Sequence, residues 1–183
     1  MSTSSPPLTD TSITQGSVVE GMFVRALQPT GAFADELRKV GVDVKRLEPT
    51  YSTQVWQAAL AVARRHVAPG LSEAAGYQLL GQKFIGGFFD TLVGRLVAVG
   101  LPLVGPDRTL QRLARTWAAA QPTLKVETVQ EAAQHWRITL REPGIIADFC
   151  AGIFQGGLGR TGVKPQVVVS EKSPEHCVIQ VRW

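Results

Sequence analysis

The chain has 183 residues, an apolar fraction ordinary for a soluble globule and a formal charge of +4 at pH 7. That length suits one domain able to bury most of its apolar surface. The slight basic excess argues against a dedicated nucleic-acid binder and leaves only a mild bias towards anionic partners.

Cys150 and Cys177 are too few for a disulfide framework, which points to a reducing compartment and a cytoplasmic location. The N-terminus carries neither a basic n-region nor an apolar h-region, so no signal peptide is expected. The nearest approach to a membrane span, Phe84 to Val104, is broken by Asp90, Arg95 and Pro102, so no membrane partner is expected.

In chain order, residues 1–15 are rich in Ser, Thr and Pro and read as a disordered tail, leaving residues 16–183 as a single domain. VVEGMFVRAL, Val18 to Leu27, reads as a strand. Thr30 then caps a helix carrying Phe33, Leu37 and Val40, which Gly41 ends. After a connector with Pro49, a second helix is predicted from Ser52 to Val67, burying Trp56, Leu60, Ala63 and Val67. The stretch Ser72–Val99 reads as one long central helix around which the rest packs. Ser72 is its cap, Tyr77, Phe84, Ile85, Phe88, Phe89, Leu92, Leu96 and Val99 form its broad apolar arc, and Gly100-Leu101-Pro102 is its stop.

A shorter helix, Pro106–Ala120, has Leu110, Leu113 and Trp117 as its core face and Arg108, Arg112 and Arg115 as a stripe at i, i+4 and i+7. From Thr123 the period changes to alternation. TLKVETVQ and HWRITLRE read as a hairpin, Ile145–Leu158 as a helix, and Val163–Ser170 with Cys177–Trp183 as a final strand pair. The predicted fold is α+β: about five helices on a C-terminal four-stranded antiparallel sheet, with no sheet formed before Thr123.

Motifs for chemistry are sparse. GGLGRTG, Gly156 to Gly162, closes a helix instead of opening one and lacks a Gly-Lys-Ser/Thr ending, so it reads as a helix stop and not a phosphate loop. Cys150, Glu171, Glu175, His176 and Cys177 are the only group worth weighing as metal ligands. Adjacent His176 and Cys177 on a strand point to opposite faces, so no metal is expected. His66, His135 and His176 are haem-ligand candidates only by elimination, and no cofactor is expected. No nucleophile elbow is present.

VEGMFVRAL at Val19 to Leu27, GVDVKRLEPTYSTQVW at Gly41 to Trp56 and PGLSEAAGYQLLGQKFIGGFFDTLVGR at Pro69 to Arg95 resemble a myxobacterial family of stand-alone domains of unknown function. So does the ending Cys177-x-x-x-Val181-x-Trp183. More remotely, the final helix with Phe149, Gly152 and Gly156, followed by a strand pair ending in a Cys-bearing strand, is similar to vinyl-reductase-type, TRAPP-subunit and haem-nitric-oxide-binding domains. That resemblance implies an antiparallel sheet against a helical layer with an apolar cavity between them. It implies neither zinc nor haem: Val169-Ser170 stands where the zinc-type domains have a second cysteine, and the Tyr-x-Ser-x-Arg run of the haem domains is missing.

The function expected is therefore a non-enzymatic module in signalling or regulation that binds a small apolar ligand or a protein partner. Its ligand surface would be Phe84, Phe88, Phe89 and Leu92 facing Phe149 and Ile153, with plain core packing as the alternative. The small-residue strip Gly76, Gly87 and Gly94, with Lys83 and Asp90 beside it, predicts a homodimer in which Lys83 meets the partner's Asp90; packing of that strip within one chain is the alternative. The competing functions are an enzyme whose acid–base site draws on Asp90, Arg95, Glu142 and Asp148, and a weak binder of nucleic acid or another anionic surface, resting on the net charge and the Arg108, Arg112 and Arg115 stripe.

Overall fold

The computed structural model describes residues 13–90, 92–120 and 123–183, apart from the side chains of 92–94, 114, 116 and 118–120. The C-terminal half forms as its alternation predicts. Strands β3 (Lys125–Ala132), β4 (His135–Arg141), β5 (Gln166–Lys172) and β6 (His176–Arg182) make one antiparallel sheet in the order β3-β4-β6-β5. Along the central pair, Trp136 faces Val181, Ile138 faces Ile179 and Leu140 faces Cys177. All six are buried, because alternate positions of both strands share the face turned to the helices.

Among the described residues seven α-helices precede or interrupt the sheet: α1 (Gly16–Val19), α2 (Gly31–Lys39), α3 (Thr53–Val67), α4 (Glu73–Phe89), α5 (Leu92–Val104), α6 (Pro106–Ala120) and α7 (Ala147–Gly159). The caps are where the sequence puts them for α3 and α4. Ser52 accepts from the Val55 N–H and Ser72 from the Ala75 N–H, both at 3.3 Å. Thr30 sits at the cap of α2 without a side-chain bond, and Gly41 takes φ +99° just beyond that helix.

Four expectations are corrected. Val18–Leu27 is helical, α1 running into a π-helical segment at Glu20–Leu27 that closes on a left-handed Gln28. Its buried residues Val19, Met22 and Phe23 fall at i, i+3 and i+4, a helical stripe that outweighs the β-branched composition. Ile13–Gln15, assigned to the tail, forms strand β1 and pairs with β2 (Thr50–Ser52), a short ribbon before Thr123 that satisfies backbone groups of the connector.

Ser72–Val99 is not one helix. A straight helix of that length would reach about 42 Å, beyond the roughly 30 Å of a small domain, and would leave its end in water. The chain instead turns at Asp90, whose N–H is shared between the carbonyls of Gly86 and Gly87, and α5 starts afresh. Helix α5 passes through the exposed Pro102 and stops at Gly105, φ +76°, so the predicted stop lies one turn early.

The element at the centre is α7. One side of it, with Cys150, Ala151, Phe154 and Leu158, packs on the sheet; the other, with Phe149 and Ile153, meets α4 and the N-terminal helices. Helices α4 and α7 touch backbone to backbone. A methyl group on Gly81 would overlap the Phe149 carbonyl, and one on Gly152 the Gln78 carbonyl.

Candidate functional site

Two apolar cavities flank the α4–α7 contact. The inner one, about 170 Å³, lies where Phe84, Trp56 and Phe149 meet the turn before α7. The Phe84 and Phe149 rings are 5.7 Å apart, and Trp56 stands edge-on to Phe149 at 5.9 Å. The larger one, about 410 Å³, lies between α5 and α6 on one side and α4 and α7 on the other. Ile85, Trp117 and Ile153 line both.

The predicted ligand residues divide between them. Phe84 and Phe149 line the inner cavity, Phe88 and Phe89 the outer one, and Ile153 both. Phe149 and Phe89 are each 6% exposed and belong to the core, whereas Phe88, at 37%, is a wall of the outer cavity open to water. Leu92 starts α5, but its side chain lies outside the described residues. The sequence reading missed the walls supplied by α5, Val97, Leu101 and Val104, and the part played by Trp117, which stacks on Phe154 at 5.2 Å. The signal was present: Val97, Leu101 and Val104 recur at i, i+4 and i+7.

The strip predicted for a dimer is used inside the chain. Gly76 and Gly87 are buried, with Gly76 against Arg64 of α3 and Gly87 against Ala26 of the π-helical segment. An added methyl would come within 2.7 Å of Arg64 Cγ in the first case and 2.8 Å of Ala26 Cβ in the second. Those close approaches leave no room for a second copy there. Lys83 and Asp90 are exposed, and the surroundings of Gly94 lie outside the described residues.

The polar residues do not converge on an acid–base site. Glu142 lines the inner cavity and accepts from Thr123 Oγ1 at 2.6 Å. Asp148 lies in a separate surface cleft, paired with Lys172 at 3.4 Å. Asp90 and Arg95 are exposed at the end of α4 and the start of α5.

Both thiols are unreactive by environment. Burial pushes Cys150 well above the usual thiol range, with Cys177, Glu142 and Asp148 adding to the shift. Burial, with Asp148 adding, raises Cys177 to about 12. Iodoacetamide at pH 8 is therefore expected to leave both unmodified in the folded protein and to label both in urea, as intact mass will read. The folded thiols hold their protons where unfolded ones release them. The stability they contribute is thus complete below about 9 and is lost as pH rises from there through about 12.

A family described as "Protein of unknown function (DUF2378)" matches residues 12–183. The chain belongs to the DUF2378 family. No curated protein matches it in sequence. This DUF2378 chain has the fold of solved haem-nitric-oxide-binding (H-NOX) structures. One is an oxygen-binding H-NOX domain related to soluble guanylate cyclases, solved as its oxygen complex: 12% identical, 92% of this chain on 94% of that one, TM-score 0.67. Another is an H-NOX protein from S. oneidensis in the Fe(II)NO ligation state: 11% identical, 92% on 98%, TM-score 0.64. A third is an Fe(II) unliganded H-NOX variant from K. algicida: 10% identical, 92% on 96%, TM-score 0.64. At such identities the likeness shows the fold and nothing of the ligand.

Haem does not fit the cavities of this DUF2378 chain. An axial ligand must come from His, Cys, Met or Tyr. His66 pairs with Glu36 and stacks on Phe33, His135 bonds Gln180, and His176 bonds Ser173. None of the three lines either cavity. Among the described residues Cys150 is the only cavity wall of a ligating type, and its burial holds it as a protonated thiol. Among the described residues, no group of three or more His, Cys, Asp or Glu stands together for a metal ion.

Proposed function

We propose that this chain is a non-enzymatic module that takes up a small apolar molecule in the outer cavity beneath α5, in a sensing or regulatory role. The observation that carries the reading is that cavity itself. About 410 Å³ is bounded almost wholly by aliphatic and aromatic side chains, with Thr109 and Arg112 its only polar walls among the described residues. Ligand sites of small molecules are of this size and character. The separation of Glu142 from Asp148 weighs against acid–base catalysis. The H-NOX fold, in relatives whose structures hold oxygen or nitric oxide, supports a sensor over a scaffold, while the histidine positions argue for a ligand other than haem.

Native mass spectrometry of freshly purified protein tests this. A bound small molecule that leaves on denaturation is expected, and N-phenylnaphthylamine should brighten on the emptied protein. A methyl at Gly157 would lie 3.7 Å from Ile85 Cγ1, an ordinary contact, so Gly157→Leu starts from an unobstructed Cβ beside the cavity it is meant to fill. That variant should lose both signals and stay folded. Bare chain mass together with a silent probe would overturn the reading.

A further inference from the structure

Helix α5 is apolar over most of its surface, and only part of that surface is covered. Leu96, Val97, Leu101 and Val104 line the outer cavity, Leu96 while still largely exposed. Leu96, Val99 and Leu103, at i, i+3 and i+7, form a second stripe that is 71%, 75% and 87% exposed. Isolated exposed leucines are ordinary, but a continuous ridge of three on a helix with one charged residue is not.

The charge around the ridge is one-sided. Helices α5 and α6 together carry four arginines, Arg95, Arg108, Arg112 and Arg115, against the single acid Asp107, a net charge of +3 beside +4 for the whole chain. Asp107 is itself occupied, accepting from Trp136 Nε1 at 2.7 Å. Arg95 borders the ridge on α5. Arg112 lies at the cavity between the two helices, and Arg108 and Arg115 share the exposed side of α6, away from Leu110 and Trp117. Arg95, Arg108 and Arg115 enter no ion pair among the described residues.

We propose that the outer face of α5, with the arginines beside it, docks on an anionic phospholipid surface. A convex aliphatic ridge has no donor or acceptor with which to orient a protein partner, but it can sink among acyl chains while guanidinium groups stay at headgroup level. At 13 residues α5 is too short to span a bilayer, so the contact lies in the plane of the interface. Nearby cations add attraction to anionic lipid that salt screens. Val99 and Leu103 are not among the cavity walls, so docking through them stands whether or not a small molecule is bound within.

Co-flotation of the full chain with vesicles tests it, comparing phosphatidylserine–phosphatidylcholine mixtures with phosphatidylcholine alone. Binding to the mixed vesicles only, weakening with salt, is expected. Val99→Glu with Leu103→Glu should abolish it, and Arg108→Glu with Arg115→Glu should weaken it by about tenfold or more. All four positions are exposed, so melting temperatures should be preserved.

A Leu103→Cys variant supplies a second readout. The native thiols are buried, so an environment-sensitive nitrobenzoxadiazole label goes to position 103 and should shift to the blue on the mixed vesicles. No flotation at low salt would overturn the proposal, as would flotation unchanged in the Val99/Leu103 variant. Concentration-dependent dimers lost in that variant, with no lipid binding, would assign the ridge to self-association instead.

Discussion

Gly152→Ala is expected to destabilise the protein by about 1–3 kcal/mol, the range for overpacking a tight contact, although alanine is the better helix former by about 1 kcal/mol. The added methyl would overlap the Gln78 carbonyl, a backbone atom that cannot swing aside as a side chain would. Either α7 moves off α4, loosening both cores that α7 joins, or the overlap stays as strain. A loss of that size lowers the melting temperature by roughly 2–4 °C per kcal/mol in a chain this long.

Gly86→Ala is the control. It lies in the same helix pair with nothing within 4 Å of the new methyl, so propensity alone acts and the melting temperature should rise. Gly81→Ala should behave like Gly152→Ala, and because Gly81 approaches Gly152 across the contact, the double variant should lose less than the two singles together. Equal responses at Gly86 and Gly152 in thermal melts would show that the close contact is not where the stability lies.

These glycines mark where the sequence was hard to read. Alternation in 125–141 and 166–182 gave the sheet and even its buried face, because period 2 has few competing explanations. Ser52 and Ser72 gave two helix starts, because a cap is a local device. At Asp90 the apolar period runs straight on into α5 and hides the break, although Asp90-Thr91 before Leu92 is the residue type that opens a new helix.

The same limit applied to the site. Phe84, Phe149 and Ile153 stood out as aromatic or apolar residues on glycine-rich helices, and they do meet. The outer wall comes from α5 and α6: the spacing of Val97, Leu101 and Val104 marks an apolar stripe, but which helix that stripe faces is set by tertiary packing. Gly76 and Gly87 were recognisable as close-approach positions, but a glycine strip does not say which neighbour comes close, and the neighbours here are Arg64 and Ala26 of the same chain.

Phe149→Ala should cost about 3–5 kcal/mol, the usual loss for removing a buried phenyl ring. The ring touches Trp56 at 5.9 Å and Phe84 at 5.7 Å, and it belongs to the N-terminal core while its neighbour Cys150 belongs to the sheet core. Truncation would merge the ring's volume with the inner cavity of about 170 Å³, and the packing partners of the ring would lose their contacts. Phe149→Leu, which keeps most of the volume, should lose no more than about 1.5 kcal/mol.

Phe88→Ala makes the comparison informative. Phe88 lies on the same α4 surface read from the sequence as one ligand-facing arc, yet it is 37% exposed and walls the outer cavity. Its removal should cost well under half as much as that of Phe149, while reducing N-phenylnaphthylamine fluorescence more than Phe149→Leu does. Urea denaturation beside probe titration reads both quantities on the same samples. If Phe149→Leu dims the probe and Phe88→Ala does not, the ligand occupies the inner cavity and the outer one is a gap beneath α5.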